Sequence, residues 1–241
     1  MESIVIGNGV ESINDYTFYN CSKLSSVSIG ESVNNIGQYA FSNCSNIANI
    51  AIPSSVKVID KYAFSGCSSM ESIVIPNGVQ SICDCAFYNC SATTTLVIPN
   101  STQIIGSYAF YGCNSLQDVT IPFTGQSRDA LWPNNTFTYI FGQVLTIKSV
   151  SGMRLHYRAI RNHDMPCYSY VPSTITSVSI TNTTKINDVA LYNCDMIKTI
   201  KLSKDVSCIG VDAFYGCNNI SNIYIEDLSA WCNIQGIENL T

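Results

Sequence analysis

Charged residues are scarce in this chain: they make up 12% of its 241 residues, and the formal net charge is −5. The 12 Lys and Arg residues form no basic run, and phosphate binding needs clustered cations, so no nucleic-acid partner is expected. No apolar run approaches the roughly 20 residues of a membrane-spanning helix, so membrane insertion is not expected either. The N-terminal stretch MESIVIGNGV lacks a charged region followed by an apolar one, so no signal peptide is visible.

Catalytic motifs are lacking as well. The sequence contains no G-x-S-x-G, Walker loop, dinucleotide fingerprint or H-E-x-x-H motif. Its two histidines, His156 and His163, lie near Asp164 and Cys167, where a polar loop is favoured over a reactive Cys/His pair. A zinc site would need four converging ligands. The sequence therefore predicts a protein without catalytic residues, metal or cofactor.

What the chain does contain is a repeat. A-F-x-x-C or a close variant of it recurs every 23 residues from Cys21 to Cys113, and again at Cys194 and Cys217. A fixed period in this range predicts a solenoid of stacked units. The repeated core positions are Phe18, Phe41, Phe64, Phe87, Phe110 and Phe214, with Cys21, Cys44, Cys67, Cys90, Cys113, Cys194 and Cys217.

Each unit can be interpreted as one coil. Its opening L-x-x-V-x-I, as in Leu24, Val27 and Ile29, ends in the alternation of a short strand. A Gly or Pro then turns the chain, and V-x-x-I returns as a second short strand or extended segment. Phe and Cys three residues apart fall on one face of a single helical or 3₁₀ turn. The expected fold is a right-handed solenoid with short parallel strands and little α-helix.

The repeats divide the chain into three parts within a single solenoid domain, 1–241. Residues 1–122 are N-terminal repeats, 123–174 are a non-repeat insertion, and 175–241 are C-terminal repeats with a closing segment. The insertion breaks the period and clusters Trp132, Phe137, Tyr139 and Phe141. We expect it to pack on the solenoid as an elaboration that does not interrupt stacking, so that 116–122 and 175–180 form adjacent strands.

The consensus L-x-x-V-x-I-P-x-x-V-x-x-I-x-x-x-A-F-x-x-C resembles the BspA-like leucine-rich repeat family over residues 1–122 and 175–225. Within and after the insertion, Pro122–Gly125, Phe137–Gly142 and Tyr170–Ser173 also resemble segments of some members, as does the closing Asp227–Cys232. The resemblance implies surface-exposed binding proteins and adhesins of bacteria and some protists, without catalytic activity. It also implies a location at the cell surface or outside the cell.

The chain has 12 cysteines, seven of them in the repeat column. Buried free thiols are the favoured interpretation, because free Cys is among the most buried residue types. A disulfide framework is the alternative, although such frameworks are typical of short chains without a core. Cys83 and Cys85 take positions that Gly and Tyr hold in other units, such as Gly37 and Tyr39. We expect the column to stay reduced and slow to react.

A binding face is predicted from the strand period. Residues between the inward Val and Ile positions must point outward, which gives a surface of small, nearly uncharged side chains. These are Ser26 and Ser28, Asn49 and Ala51, Ser72 and Val74, Thr95 and Val97, Asp118 and Thr120, continuing as Ser177, Ser179, Thr199, Lys201, Asn222 and Tyr224.

Two functions remain open at this stage. One is a scaffold that binds a protein or glycan through this face, and the other is a structural module that displays or spaces other domains of a larger surface protein. The column Tyr16, Tyr39, Tyr62 and Tyr108 offers an aromatic stripe for carbohydrate, but half-buried flanks of the turn are the favoured interpretation.

Overall fold

The fold is a parallel β-solenoid of about eight turns, seen in a computed structural model that describes residues 1–130, 134, 136–144, 168–169 and 171–236. Coils one to five span 1–23, 24–46, 47–69, 70–92 and 93–115. Coil six comprises the described residues between 116 and 174, and coils seven and eight span 175–196 and 197–219. A closing segment follows from residue 220. The predicted solenoid of stacked repeats is confirmed.

The opening strands stack in parallel, in the register of the repeat. Ser72 pairs with Thr95, and Thr95 pairs with Asp118. A two-stranded sheet unites coils one and two, and a six-stranded sheet unites coils four to eight with the closing segment. The strands are Ser3–Ile6, Ser26–Ile29, Ser72–Val74, Thr95–Val97, Asp118–Ile121, Ser177–Ile180, Thr199–Leu202 and Asn222–Ile225.

Coil three is an exception to the predicted strand in every unit. Its opening segment, 47–52, forms no strand and separates the two sheets. Asn49 and Ala51 occupy its outward positions, where the strands of other coils carry residues such as Ser28 and Thr120. Asn and Ala are both depleted in β-strands, which weakens this rung.

The second strands are only two residues long. Coils one to five form a five-stranded sheet with Ser12–Ile13, Asn35–Ile36, Val58–Ile59, Ser81–Ile82 and Ile104–Ile105. Coils seven and eight form a separate pair, Lys185–Ile186 and Cys208–Ile209. We call this row of hydrogen bonds the second-strand ladder. It is broken at coil six.

The A-F-x-x-C segment forms successive tight turns. In coil two, Ser42 N–H donates to Tyr39 C=O and Cys44 N–H donates to Phe41 C=O, the i→i+3 pattern of a 3₁₀ turn. Tyr39 and Asn43 nevertheless have left-handed φ values of 55° and 61°, so no continuous helix forms. Every member of the Asn43 column is Asn or Gly, the two residue types that adopt this conformation most readily.

Stacked phenylalanine rings run through the core. The rings of Phe18, Phe41, Phe64, Phe87 and Phe110 lie 5.0 to 5.6 Å apart with interplanar angles of 3° to 20°. All are buried except Phe18, which is half-buried at the first coil. Burying aromatic area in this way supplies much of the driving force for stacking.

Coil six continues this core with residues from the predicted insertion. Asp118 pairs with Ser177, so the expected adjacency of strands 116–122 and 175–180 is present. A 3₁₀ helix, Phe137–Ile140, lies in the stack: Phe110 N–H donates to Ile140 C=O at 3.0 Å and Phe137 N–H to Ala190 C=O at 2.9 Å. The insertion therefore supplies the turn of the sixth coil and does not lie wholly outside the array. The reason is that Phe137 and Phe141 fill the core. Trp132, from the same predicted cluster, lies outside the described residues.

Two small elements complete the description. Gln143–Val144 and Tyr168–Ser169 form an antiparallel pair, and the α-helix Leu228–Cys232 follows the last strand. No helix in the described ranges has the length and apolar character that crossing a membrane requires.

Candidate binding face

The outward side chains of the six-stranded sheet form one surface, which we call the strand face. Parallel pairing places them in two straight columns, because partners such as Thr120 and Ser179 lie in register across neighbouring strands. The columns are Ser72, Thr95, Asp118, Ser177, Thr199 and Asn222, and Val74, Val97, Thr120, Ser179, Lys201 and Tyr224.

The strand face is mostly uncharged and partly apolar. Val74 is 57% exposed, while the inward-pointing Ile73 beside it is 2% exposed. Hydroxyl side chains dominate the middle of the face. At the C-terminal end the face carries a charged and an aromatic side chain: Lys201 Nζ lies 5.7 Å from the centroid of the exposed Tyr224 ring. This cation–π contact places one positive charge at the end of the surface.

The structure brings together twelve of the sixteen residues predicted to form the face and separates the other four. Ser26 and Ser28 lie on the two-stranded sheet of coils one and two. Asn49 and Ala51 are exposed but lie on the segment of coil three that forms no strand. A ligand that follows the strand face would therefore meet a break at coil three.

The tyrosine column forms a stack of its own. The rings of Tyr16, Tyr39 and Tyr62 lie 4.9 and 4.7 Å apart and are nearly parallel. Tyr39 and Tyr62 are half-buried, as the favoured interpretation holds, and Tyr16 is exposed. Because each ring covers the face of its neighbour, a sugar would meet mainly ring edges. The stack is therefore a weak platform for carbohydrate.

The cysteine column is a second internal ladder. In coils two to five, the column thiol donates to the carbonyl of the phenylalanine in the preceding coil, as Cys67 Sγ does to Phe41 O at 3.3 Å and Cys90 Sγ to Phe64 O at 3.3 Å. Cys217 Sγ donates to the equivalent Leu191 C=O at 3.0 Å. Burial raises the pKa of Cys44 to about 11 and that of Cys217 to about 12. All eleven cysteines that the structure describes are free, so the thiols there form no disulfide framework.

The off-column pair Cys83 and Cys85 is equally unsuited to chemistry. Burial raises the pKa of both thiols, which keeps them protonated. A hydrogen bond with Cys85, followed by the electrostatic effect of that thiol, raises the pKa of the Tyr62 hydroxyl to about 12. The described residues hold no cluster of three metal-ligating side chains. The predicted polar loop with His156, His163, Asp164 and Cys167 lies outside them.

One feature was missed at the sequence level. A cavity of about 590 Å³ opens at coil six between Arg128–Ala130 and the coil-seven residues 182–187. The only signal was Thr183, which takes the column position of Val33, Val56, Val79 and Val206.

Comparison with known proteins places this geometry in context. A family model described as a BspA-type leucine-rich repeat region of six copies matches residues 1–117, 82–140 and 163–235. A leucine-rich repeat protein from Bacteroides ovatus ATCC 8483 is 24% identical with a TM-score of 0.53, over 100% of this chain and 78% of that chain. A leucine-rich repeat protein of T. pallidum is 23% identical with a TM-score of 0.50, over 91% of this chain and 78% of that chain. None of the curated proteins matches the chain.

Proposed function

Since the chain belongs to the BspA-type leucine-rich repeat family, we propose that it is a non-catalytic scaffold that binds a protein or glycan through its strand face. The proposed setting is adhesion at a cell surface, as the family resemblance implies. Solenoids commonly bind partners on extended repeated surfaces of this kind.

The observation that carries the proposal is the composition of the strand face. Soluble proteins usually cover a large surface with Lys and Glu, whereas this one carries Ser, Thr and exposed Val74 across stacked strands. Small side chains let a partner approach the sheet closely. Many weak contacts along a repeated surface then add up to useful affinity.

A structural display or spacer module is the second candidate. The continuous stack of five phenylalanine rings and the six-stranded sheet support it, because both join successive coils through backbone and core contacts. A spacer needs rigidity but no ligand. Saturable binding at the strand face would separate the two functions.

The test is a triple variant, Ser72→Lys, Thr95→Lys and Thr120→Lys, screened on glycan and protein arrays beside the unchanged chain. A ligand of the strand face should lose about tenfold or more in affinity, because three lysines would be desolvated without partners. The matched control is Asn34→Lys, Gln80→Lys and Gln103→Lys, which adds the same charge at exposed positions beside the second strands. Equal binding by both variants would place the site elsewhere.

Salt supplies an independent check. The strand face carries few charges, so binding should change little between low and physiological ionic strength. A steep decline with added salt would contradict recognition by this surface.

A further inference from the structure

The break in the second-strand ladder leaves a strand edge without its expected neighbour. In the regular coils, the residue after each second strand donates its N–H to the preceding coil, as Asp60 does to Ile36 C=O at 2.9 Å and Gly106 to Ile82 C=O at 2.7 Å. In coil six, Gln126 C=O accepts from Ile105 N–H at 2.8 Å, but Gln126 N–H then turns away to Asn134 C=O. By the regular pattern this N–H would bond to coil five, so coil six keeps one bond to coil five here, and among the described residues no backbone bond joins its second-strand position to the second strand of coil seven.

Coil seven shows the consequence. Asn187 follows Ile186 as Asp60 follows Ile59, so its N–H points toward the missing rung. Within the part of the chain that the structure describes, the N–H groups of Thr184 and Asn187 have no hydrogen-bond acceptor. Two backbone donors are thus available at this edge.

At the same edge, the side-chain hydroxyl of Thr183 bonds to the backbone N–H and C=O of Lys185. Its Oγ1 accepts from Lys185 N–H at 3.2 Å and donates to Lys185 C=O at 2.8 Å. In the neighbouring coil eight, the same column position is the buried Val206. A side-chain hydroxyl is a replaceable partner, because a backbone amide from another chain can offer the same donor and acceptor.

The edge opens into the cavity of about 590 Å³ described above, which we call the polar cleft. Asn100 links the two walls of the cleft. The Asn100 C=O accepts from Arg128 Nη2 at 3.1 Å and from Asn182 Nδ2 at 3.2 Å. Its Oδ1 also accepts from Thr181 Oγ1 at 2.6 Å. The cleft is therefore held by hydrogen bonds from both sides, and its volume falls within the range of ligand sites.

We propose that the polar cleft binds a short extended peptide segment of a partner protein, which adds to the edge of Lys185–Ile186 as the missing rung. A peptide backbone supplies carbonyls that accept from the N–H groups of Thr184 and Asn187. It also supplies a C=O and an N–H that bond to the N–H and C=O of Lys185, at the spacing of a parallel strand. The lining carries Arg128 and Lys185 against Asp129 and Asp205, which suits a segment without net charge. This site is separate from the strand face, and either one can fail without the other.

The first experiment uses an array of end-blocked eight-residue peptides, and the strongest binder is then titrated in solution. N-methylation at one set of alternate residues should lower its affinity about tenfold, because it removes the amide that replaces Thr183 at Lys185. N-methylation at the other alternate set should leave affinity nearly unchanged, since those amides face away from the edge. Equal losses from both sets would contradict strand addition.

Hydrogen exchange locates the contact. In the free protein, the amides of Thr184 and Asn187 should exchange faster than those of Asp60 and Gly106, and bound peptide should slow them. Slow exchange in the free protein would overturn the proposal, because the edge would then be satisfied internally.

Two substitutions complete the test. Ala130→Trp should fill the cleft and reduce peptide binding about tenfold or more, whereas Ala51→Trp, on coil three, should not. Thr183→Val should tighten peptide binding, because no hydroxyl has to leave Lys185. A glycan that binds the cleft and is lost with Ala130→Trp would replace the peptide proposal, and no binding of any array peptide would refute it.

Discussion

Coils one to five and coil six each add one layer to the same core, but coil six takes a longer stretch of chain to do so. In the regular coils, strand partners such as Thr95 and Asp118 are 23 residues apart, whereas Asp118 and Ser177 are 59 residues apart. The opening strands of coils four to eight pair without a break through coil six, and backbone hydrogen bonds of the turn join coil six to coils five and seven. Among the described residues, the second-strand ladder is lost between coils six and seven.

This difference shows which parts of a repeat the stack requires. The opening strand and the turn carry the largest apolar side chains, so the core is exposed if either is missing. The second strand contributes two residues and a few hydrogen bonds, and near coil six side-chain hydrogen bonds beside the opening strands add further links between coils. Thr174 Oγ1 donates to Asn114 C=O at 3.0 Å and Thr181 Oγ1 to Asn100 Oδ1 at 2.6 Å, across 60 and 81 residues of sequence.

The largest expected effect comes from removing a core ring on either side of this comparison. Phe64→Ala should lower the free energy of unfolding by about 3–5 kcal/mol, and Phe137→Ala by a similar amount, because both rings are fully buried. Phe18→Ala should cost less, since its ring is half-buried. Urea denaturation measures all three. A loss below about 1 kcal/mol for Phe137→Ala would show that coil six is peripheral to the stack.

The sequence predicted the regular coils well and coil six poorly, for a physical reason. Period two and A-F-x-x-C identify inward residues directly, so the strands, the phenylalanine stack and the buried thiols followed from spacing. In coil six, Ile140 and Phe141 take the places of Ala109 and Phe110, but Gly142 follows at once and no Cys closes the motif. The polar cleft depends on how the 123–136 segment turns away, which residue spacing does not encode.

The second prediction concerns alkaline pH. Burial holds Cys44 near pKa 11 and Cys217 near 12, against 9.0 for an exposed thiol. Between these values the unfolded chain releases protons that the folded chain retains, so the free energy of unfolding falls as pH rises above about 9. Each such thiol contributes at most about 1.4 kcal/mol per pH unit. Below pH 8 it contributes no pH dependence.

Two variants compare the alkaline pH dependence of stability before and after coil six. Cys44→Ala and Cys217→Ala should each flatten the alkaline slope measured by urea denaturation at pH 8, 9 and 10. The affected thiols lie on either side of coil six, so similar slopes would indicate that the thiols before and after it are buried to a similar extent. An unchanged slope in both variants would contradict the raised pKa values.

The third prediction tests whether turn geometry survives the interruption. Gly112 and Gly216 both have φ of 77°, one before coil six and one after it. Replacing either with Ala should cost about 1–2 kcal/mol, because an L side chain is disfavoured in the left-handed region. Replacement with Asn should cost less, since Asn43 and Asn89 adopt the same conformation in this column. Unequal Ala costs at the two glycines would mean that the turns differ in strain.

The smallest expected effect comes from removing the hydrogen bond between Thr181 Oγ1 and Asn100 Oδ1, which links coil seven directly to coil five. Asn100 and Asn77, its counterpart one coil earlier, are both exposed, but Asn100 accepts from Thr181 Oγ1 whereas Asn77 has no such side-chain bond among the described residues. Asn100→Ala should therefore lower the free energy of unfolding by about 0.5–1.5 kcal/mol, and Asn77→Ala by less than about 0.5 kcal/mol. A double-mutant cycle with Thr181→Val isolates the bond: the coupling energy should be positive for Asn100 and near zero for Asn77. If the coupling energy is zero in both cycles, the hydrogen bond between Thr181 and Asn100 does not stabilise the walls of the polar cleft. Coil six would then depend on its core and backbone contacts alone.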